Sequence, residues 1–220
     1  MNAPHVAFAF VLGLLANSLA EIFLAIDLKR PFADLPSPCK TLRIARWCIC
    51  CIGLVALRLF NPSPLALIAL ALFSVTAATD LETKRIPPDW FSYGCVVLLC
   101  AMGFATGGMA GLRDGVVAQA MCFVAMVFAI VFARAASPGD VKVLMHYGAT
   151  CGTLPAVGVG IIAETLARIG VLVMCIMMMR LRGKPLRTSL HRGLHLRLPH
   201  APIAWVGVWI ALAAKGLGLV

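Results

Sequence analysis

Apolar runs cut by short polar breaks make up most of the chain. They fall at roughly 5–27, 46–60, 64–80, 90–107, 113–134, 141–153, 155–180 and 199–219. An α-helix needs about 20 apolar residues to cross the hydrocarbon of a bilayer, so the long runs predict spanning helices. The runs at 46–60 and 141–153 fall short of that length; each is expected to tilt, to extend into a flank, or to enter without crossing. The pattern predicts an all-α polytopic membrane protein, a bundle of about eight transmembrane helices with six to eight as the range.

Composition agrees. Of the 220 residues, 61% are hydrophobic and only 13% charged, with a mean hydropathy of +0.96, far from the balance of a soluble domain. The net charge of +10 does not point to nucleic acid, because the basic residues sit in short breaks between apolar runs. Basic residues collect in cytoplasmic loops. Lys29, Arg30, Lys40, Arg43, Arg46, Lys84, Arg85, Arg134, Lys142 and the six in 180–198 place 15 of the 19 basic residues on one side. This predicts eight crossings, with both termini outside and four basic loops in the cytoplasm. The first run lacks a basic start and is long enough to span, so it reads as a helix and not as a removed leader. Nine cysteines are an odd number, and Cys95, Cys100, Cys122 and Cys175 lie inside apolar runs, as small hydrophobes do.

Only nine carboxylates interrupt this pattern. Asp80 ends the third run, in ATDLETKRIPPDW, and Asp140 lies between the fifth and sixth, in ARAASPGDVKVLMHYG. The expected topology puts both at the cytoplasmic face. Two carboxylates held together at an apolar boundary cannot both ionise cheaply, so they share one proton and titrate as a pair. The ionised member then accepts a proton from water while the other donates to a carbonyl oxygen. Ordinary loop carboxylates remain the alternative at this point.

DLETKRIPPDW resembles the D-x-x-x-x-x-I-P-[NDE] element of type IV prepilin leader peptidases, and SPGDVKVL resembles their G-x-G-D-x-K-L element. LPHAPIAWVGVWIAL (198–212) is similar to their final P-[YF]-x-P-x-[AI]-x-x-G segment. The three occur in the family's order, and the resemblance covers roughly 64–220, leaving 1–63 as supporting helices with a basic loop. It implies a membrane aspartic peptidase of the GxGD class. Asp80 and Asp140 match the catalytic pair, Gly139 and Lys142 the glycine and lysine around the second aspartate, and Ile86 and Pro87 the Ile-Pro element. The implied partners are prepilin or pseudopilin precursors and membrane lipids in the bacterial inner membrane, with self-association admitted and nucleic acid not expected. No metal and no cofactor are implied. Gly139 would let a peptide backbone approach and permit an unusual φ. Pro87 and Pro88 would lead the chain after Asp80 away in extended form, an edge for a substrate strand. Lys142 would hold one aspartate ionised, bind substrate, or simply snorkel.

The chain departs from the family where Ser137 and Pro138 stand in place of a Gly-x pair. The four-cysteine zinc loop of the bifunctional members is also not matched, since Cys39, Cys48, Cys50 and Cys51 have the wrong spacing. The alternatives are a catalytically inactive relative with a role in pilus assembly, or a small transporter built on Glu164 and Arg168. These two stand in the favourable i, i+4 order and read as a structural pair, with no third polar residue to extend them. IMMM (176–179) reads as core filling, and His146 and Tyr147 as locally packed helix side chains. His191, His195 and His200 read as part of a basic loop, without carboxylates beside them, that faces anionic lipid.

Overall fold

Where no water is at hand, a backbone must close its hydrogen bonds within its own segment, and each of the eight runs is helical over most of its described length. The computed structural model describes residues 3–27, 40–83, 86–128, 130–131, 138–183, 185 and 200–220, and every regular element among them is a helix. The elements are α1 (Ala3–Asp27), α2 (Lys40–Trp47), a π-helical stretch (Cys48–Ile52) running directly into α3 (Gly53–Phe60), α4 (Pro64–Thr83), α5 (Asp89–Phe128), α6 (Pro138–Cys151), α7 (Leu154–Leu181) and α8 (His200–Gly216). Ser137, Cys39, His191 and His195 lie outside the described residues.

Helix α5 is folded back on itself. Gly108 has φ 58° and ψ −146°, a conformation that side chains disfavour. Beyond it Cys100 Sγ lies 3.8 Å from Gln119 Oε1, a pair that a straight helix would hold about 28 Å apart. The two arms touch through bare backbone: a Cβ on Gly103 would stand 3.0 Å from the Gly111 carbonyl oxygen. This is the break between the runs at 90–107 and 113–134.

Among the described residues, four helices are long and apolar enough to cross a membrane: α1 over Pro4–Ile26, α4, α5 and α7. The expected figure of about eight is therefore met only in part, because α6 has 14 residues and α8 has 17, and at about 1.5 Å per residue both fall short of a hydrocarbon core. The outer faces are apolar. On α7, Ile162, Leu166, Ile169, Val173 and Met177 are all exposed, the kind of continuous apolar surface that lipid or another apolar medium covers. Met177 and Met178 belong to that surface, so the methionine run is peripheral and does not fill the core as expected.

Helix α4 lies at the centre, in contact with α1, α2, α3, α5, α6 and α8. It carries SVTAAT through the core because its hydroxyls find partners: Ser74 Oγ donates to Leu70 O (2.8 Å) and Thr79 Oγ1 to Val75 O (3.1 Å) along the helix, while Thr76 Oγ1 lies 3.4 Å from His146 Nδ1. Polar side chains also fix α8. Trp205 Nε1 donates to Ser74 Oγ (2.8 Å), Trp209 Nε1 to Gly53 O (2.8 Å), and Asn61 Nδ2 to Leu212 O (2.7 Å). Helices α7 and α8 meet at glycines, as close-packed helices in membranes often do. A Cβ on Gly207 would stand 2.5 Å from Gly160 O and 2.8 Å from the Tyr147 hydroxyl. Gly207→Ala is accordingly expected to force α7 and α8 apart and to destabilise by about 1–3 kcal/mol; a thermal midpoint equal to that of the unsubstituted protein would contradict this.

Candidate functional site

The last turn of α4, the first turn of α6 and the start of α8 meet at one end of the bundle, and each brings one of the stretches singled out in the sequence. Asp80 stands one turn before the end of α4 and is 7% exposed. Its Oδ2 accepts the backbone N–H of Ala201 at 2.8 Å, and the His200 N–H is directed at the same carboxylate. These N–H groups belong to the first turn of α8, which has no intrahelical acceptors for them, and the positive end of the helix favours an acidic group there. Pro202 follows in that turn, where a missing N–H costs no helical bond.

Asp140 enters the first turn of α6, again the position that favours an acid. Its Oδ1 lies 3.1 Å from His200 Nδ1. Two consecutive residues, His200 and Ala201, thus hold two aspartates that are 60 positions apart in the chain, and Asp140 is near enough to act electrostatically on Asp80. On its other edge the imidazole faces Glu164, with Nε2 at 3.3 Å from Oε1 but off the hydrogen-bond direction. The same Glu164 oxygen accepts Arg168 Nη2 at 2.7 Å and Nε at 3.1 Å. The i, i+4 pair expected to stand alone is therefore one end of a chain of charged groups, Arg168–Glu164–His200–Asp140, with Asp80 alongside. His200 corrects its own reading too: carboxylates flank it on both edges.

The remaining expected site residues are nearby in different roles. Lys142 pairs with Asp89, in the first turn of α5, and among the described residues its salt bridge is with that residue and not with either aspartate of the pair. Asp89 is largely exposed, and such rim pairs contribute little. Lys142→Ala is thus expected to change stability by less than about 1 kcal/mol, while a larger loss would return Lys142 to the site. Gly139 is helical, in the first turn of α6, so no unusual φ is drawn from it. Ile86 is partly buried against the core and Pro87 is buried. Residues 86–88 are not helical, as two prolines require, while residues 84 and 85 of the expected extended edge lie outside the described residues.

A second cluster braces this end. Arg46, on α2 and almost wholly buried, pairs with Glu21 of α1 and, at 2.9 Å, with Glu82 of α4. In the sequence Arg46 reads as one more loop cation; the signal missed is that Lys40–Trp47 forms an amphipathic turn continuous with α3. His146 is fully buried, with Nδ1 3.4 Å from Thr76 Oγ1 and its ring edge-on to Phe73 at 5.0 Å. A cavity of about 660 Å³ opens at the opposite end of the bundle, lined by Asn61, Ser63, Thr106, Thr150 and Lys215 among others, and does not reach the aspartates. No family model, curated protein or solved structure matches the chain.

Proposed function

We propose that the chain is a membrane aspartic endopeptidase that removes the basic leader of type IV prepilin or pseudopilin precursors. The observation that carries this reading is the convergence at one point of Asp80, Asp140 and the start of α8, the three places where the sequence resembles the prepilin peptidases. In this reading the bundle crosses the bacterial inner membrane about eight times and presents the aspartates at the cytoplasmic face. A pilin leader ends there, just before an apolar helix that stays in the bilayer.

The chemistry follows from one shared proton. One aspartate, as carboxylate, takes a proton from water while the other, protonated, donates to the scissile carbonyl oxygen; the hydroxide adds to carbon and leaves a tetrahedral diol. In the second step the newly protonated aspartate gives its proton to the departing amide nitrogen, and the other takes one back from the diol. The C–N bond breaks, one water is consumed, and the pair returns to its starting state.

A second reading, a small transporter, is favoured by the continuous set of titratable groups from Glu164 to Asp140. Neutralising Glu164 and Arg168 would then abolish function while Asp80→Asn would not; the peptidase reading expects Asp80→Asn to be inactive. Co-expression with candidate prepilins tests the reading directly. The precursor should shift to the mature size with the unsubstituted protein and stay unprocessed with either aspartate replaced by asparagine. Unchanged processing by both variants would end the proposal.

A further inference from the structure

We propose that His200 is a positioning residue for the aspartate pair, anchored by Glu164 and Arg168, which keeps Asp140 as the carboxylate that takes the proton from water. The inference rests on the peptidase reading and assigns the two aspartates different roles within it.

The imidazole has a carboxylate on each edge, Asp140 Oδ1 at 3.1 Å from Nδ1 and Glu164 Oε1 at 3.3 Å from Nε2. Nδ1 is within hydrogen-bond distance of Asp140, while the Glu164 oxygen stands beside Nε2 but off its hydrogen-bond direction; with a carboxylate this close to each ring nitrogen, the cationic imidazolium is attracted where the neutral ring is not. Among the described residues, the charged groups around His200 are Asp140 from α6, Glu164 and Arg168 from α7, and Asp80 from α4; the two carboxylates nearest its ring nitrogens favour the protonated ring, and Arg168 opposes them from the far side of Glu164.

The asymmetry between the aspartates comes from what each one touches. Asp140 has a cationic ring beside it, which holds it ionised. Asp80 is the more deeply buried of the two, where a charge is harder to solvate, so the shared proton rests there and Asp80 is the acid in the first step. Arg168 holds Glu164 through two hydrogen bonds, which keeps a carboxylate 3.3 Å from Nε2 at the far edge of the ring. The family segment that 198–212 resembles has Tyr or Phe where this chain has His200, and here that histidine stands beside Glu164 of the neighbouring helix.

The test uses the full-length protein in detergent and a peptide spanning a prepilin leader junction. Both His200→Gln and His200→Asn should keep the thermal midpoint, lower kcat by about 10–100-fold, leave KM within about threefold, and move the acid limb of the kcat profile up by about one pH unit, because Asp140 has lost its neighbouring cation. Glu164→Gln should lower kcat in the same sense and add little on top of His200→Gln, since the two act as one unit. Unsubstituted kcat and pH profile in a folded His200→Gln or His200→Asn protein, with Asp140→Asn inactive, would overturn the inference and leave the peptidase reading standing. Failure of both His200 variants to fold would also overturn it, making His200 a structural residue. If the unsubstituted protein cleaves no prepilin junction at all, the peptidase reading itself falls.

Discussion

Asparagine in place of either Asp80 or Asp140 is expected to remove prepilin processing, lowering kcat/KM by about 10²–10⁴ in each case. The substitution is close to isosteric, and its oxygen still accepts the N–H of Ala201 or faces the ring of His200, so the bundle is expected to fold as before. What is lost differs by position. The amide left by Asp80→Asn has no acid proton to give the carbonyl oxygen, and the amide left by Asp140→Asn is too weak a base to take one from water. Both steps belong to the same proton cycle, so the double variant should be hardly worse than either single one. Initial rates on a junction peptide at saturating and limiting concentrations provide the check, and an active, well-folded variant at either position would be incompatible with a two-aspartate site.

The second large effect is on stability. Arg46→Ala is expected to destabilise the bundle by about 3 kcal/mol, since it leaves the largely covered Glu82 carboxylate without its salt-bridge partner. Arg46 is 4% exposed and Glu82 9%, so neither is rescued by water. The damage should fall close to the site, because Glu82 is two residues beyond Asp80 on α4 and the cluster ties that turn to α1 and α2. Adding Glu82→Gln removes the stranded charge and should recover about half of the loss. Thermal unfolding in detergent of the single and double variants reads both values. A midpoint for Arg46→Ala equal to that of the unsubstituted protein would mean the cluster is only a surface pair.

The helical fold was legible because a bilayer-like pattern leaves few options: long apolar runs close their hydrogen bonds locally, and the turn at Gly108 falls where ATGGMAGLRDG interrupts two of them. Asp80 and Asp140 were legible as rare carboxylates at run ends. What lay beyond the sequence was which helices adjoin. Glu164 and Arg168 four apart already make a sufficient local pair, and nothing in the chain announces that a ring 36 residues later, His200, comes to rest on the same glutamate. Lys142 shows the reverse error. Its place two residues after Asp140 suggested the site, yet a lysine in the first turn or two of a helix reaches sideways, and here it meets Asp89 across the groove to α5. Arg46 was hidden by a rule that holds for loops: KTLRIARW has charges enough for a cytoplasmic segment, while its helical period turns Arg46 inward.

Mass spectrometry of a synthetic prepilin-junction peptide incubated with the detergent-solubilised protein reads the peptidase activity directly. The expected result is a single peptide-bond cleavage, immediately before the apolar stretch, that incorporates one oxygen from labelled water into the leader fragment and disappears in Asp140→Asn. An intact peptide after prolonged incubation with folded protein, or cleavage that persists in Asp140→Asn, would contradict it.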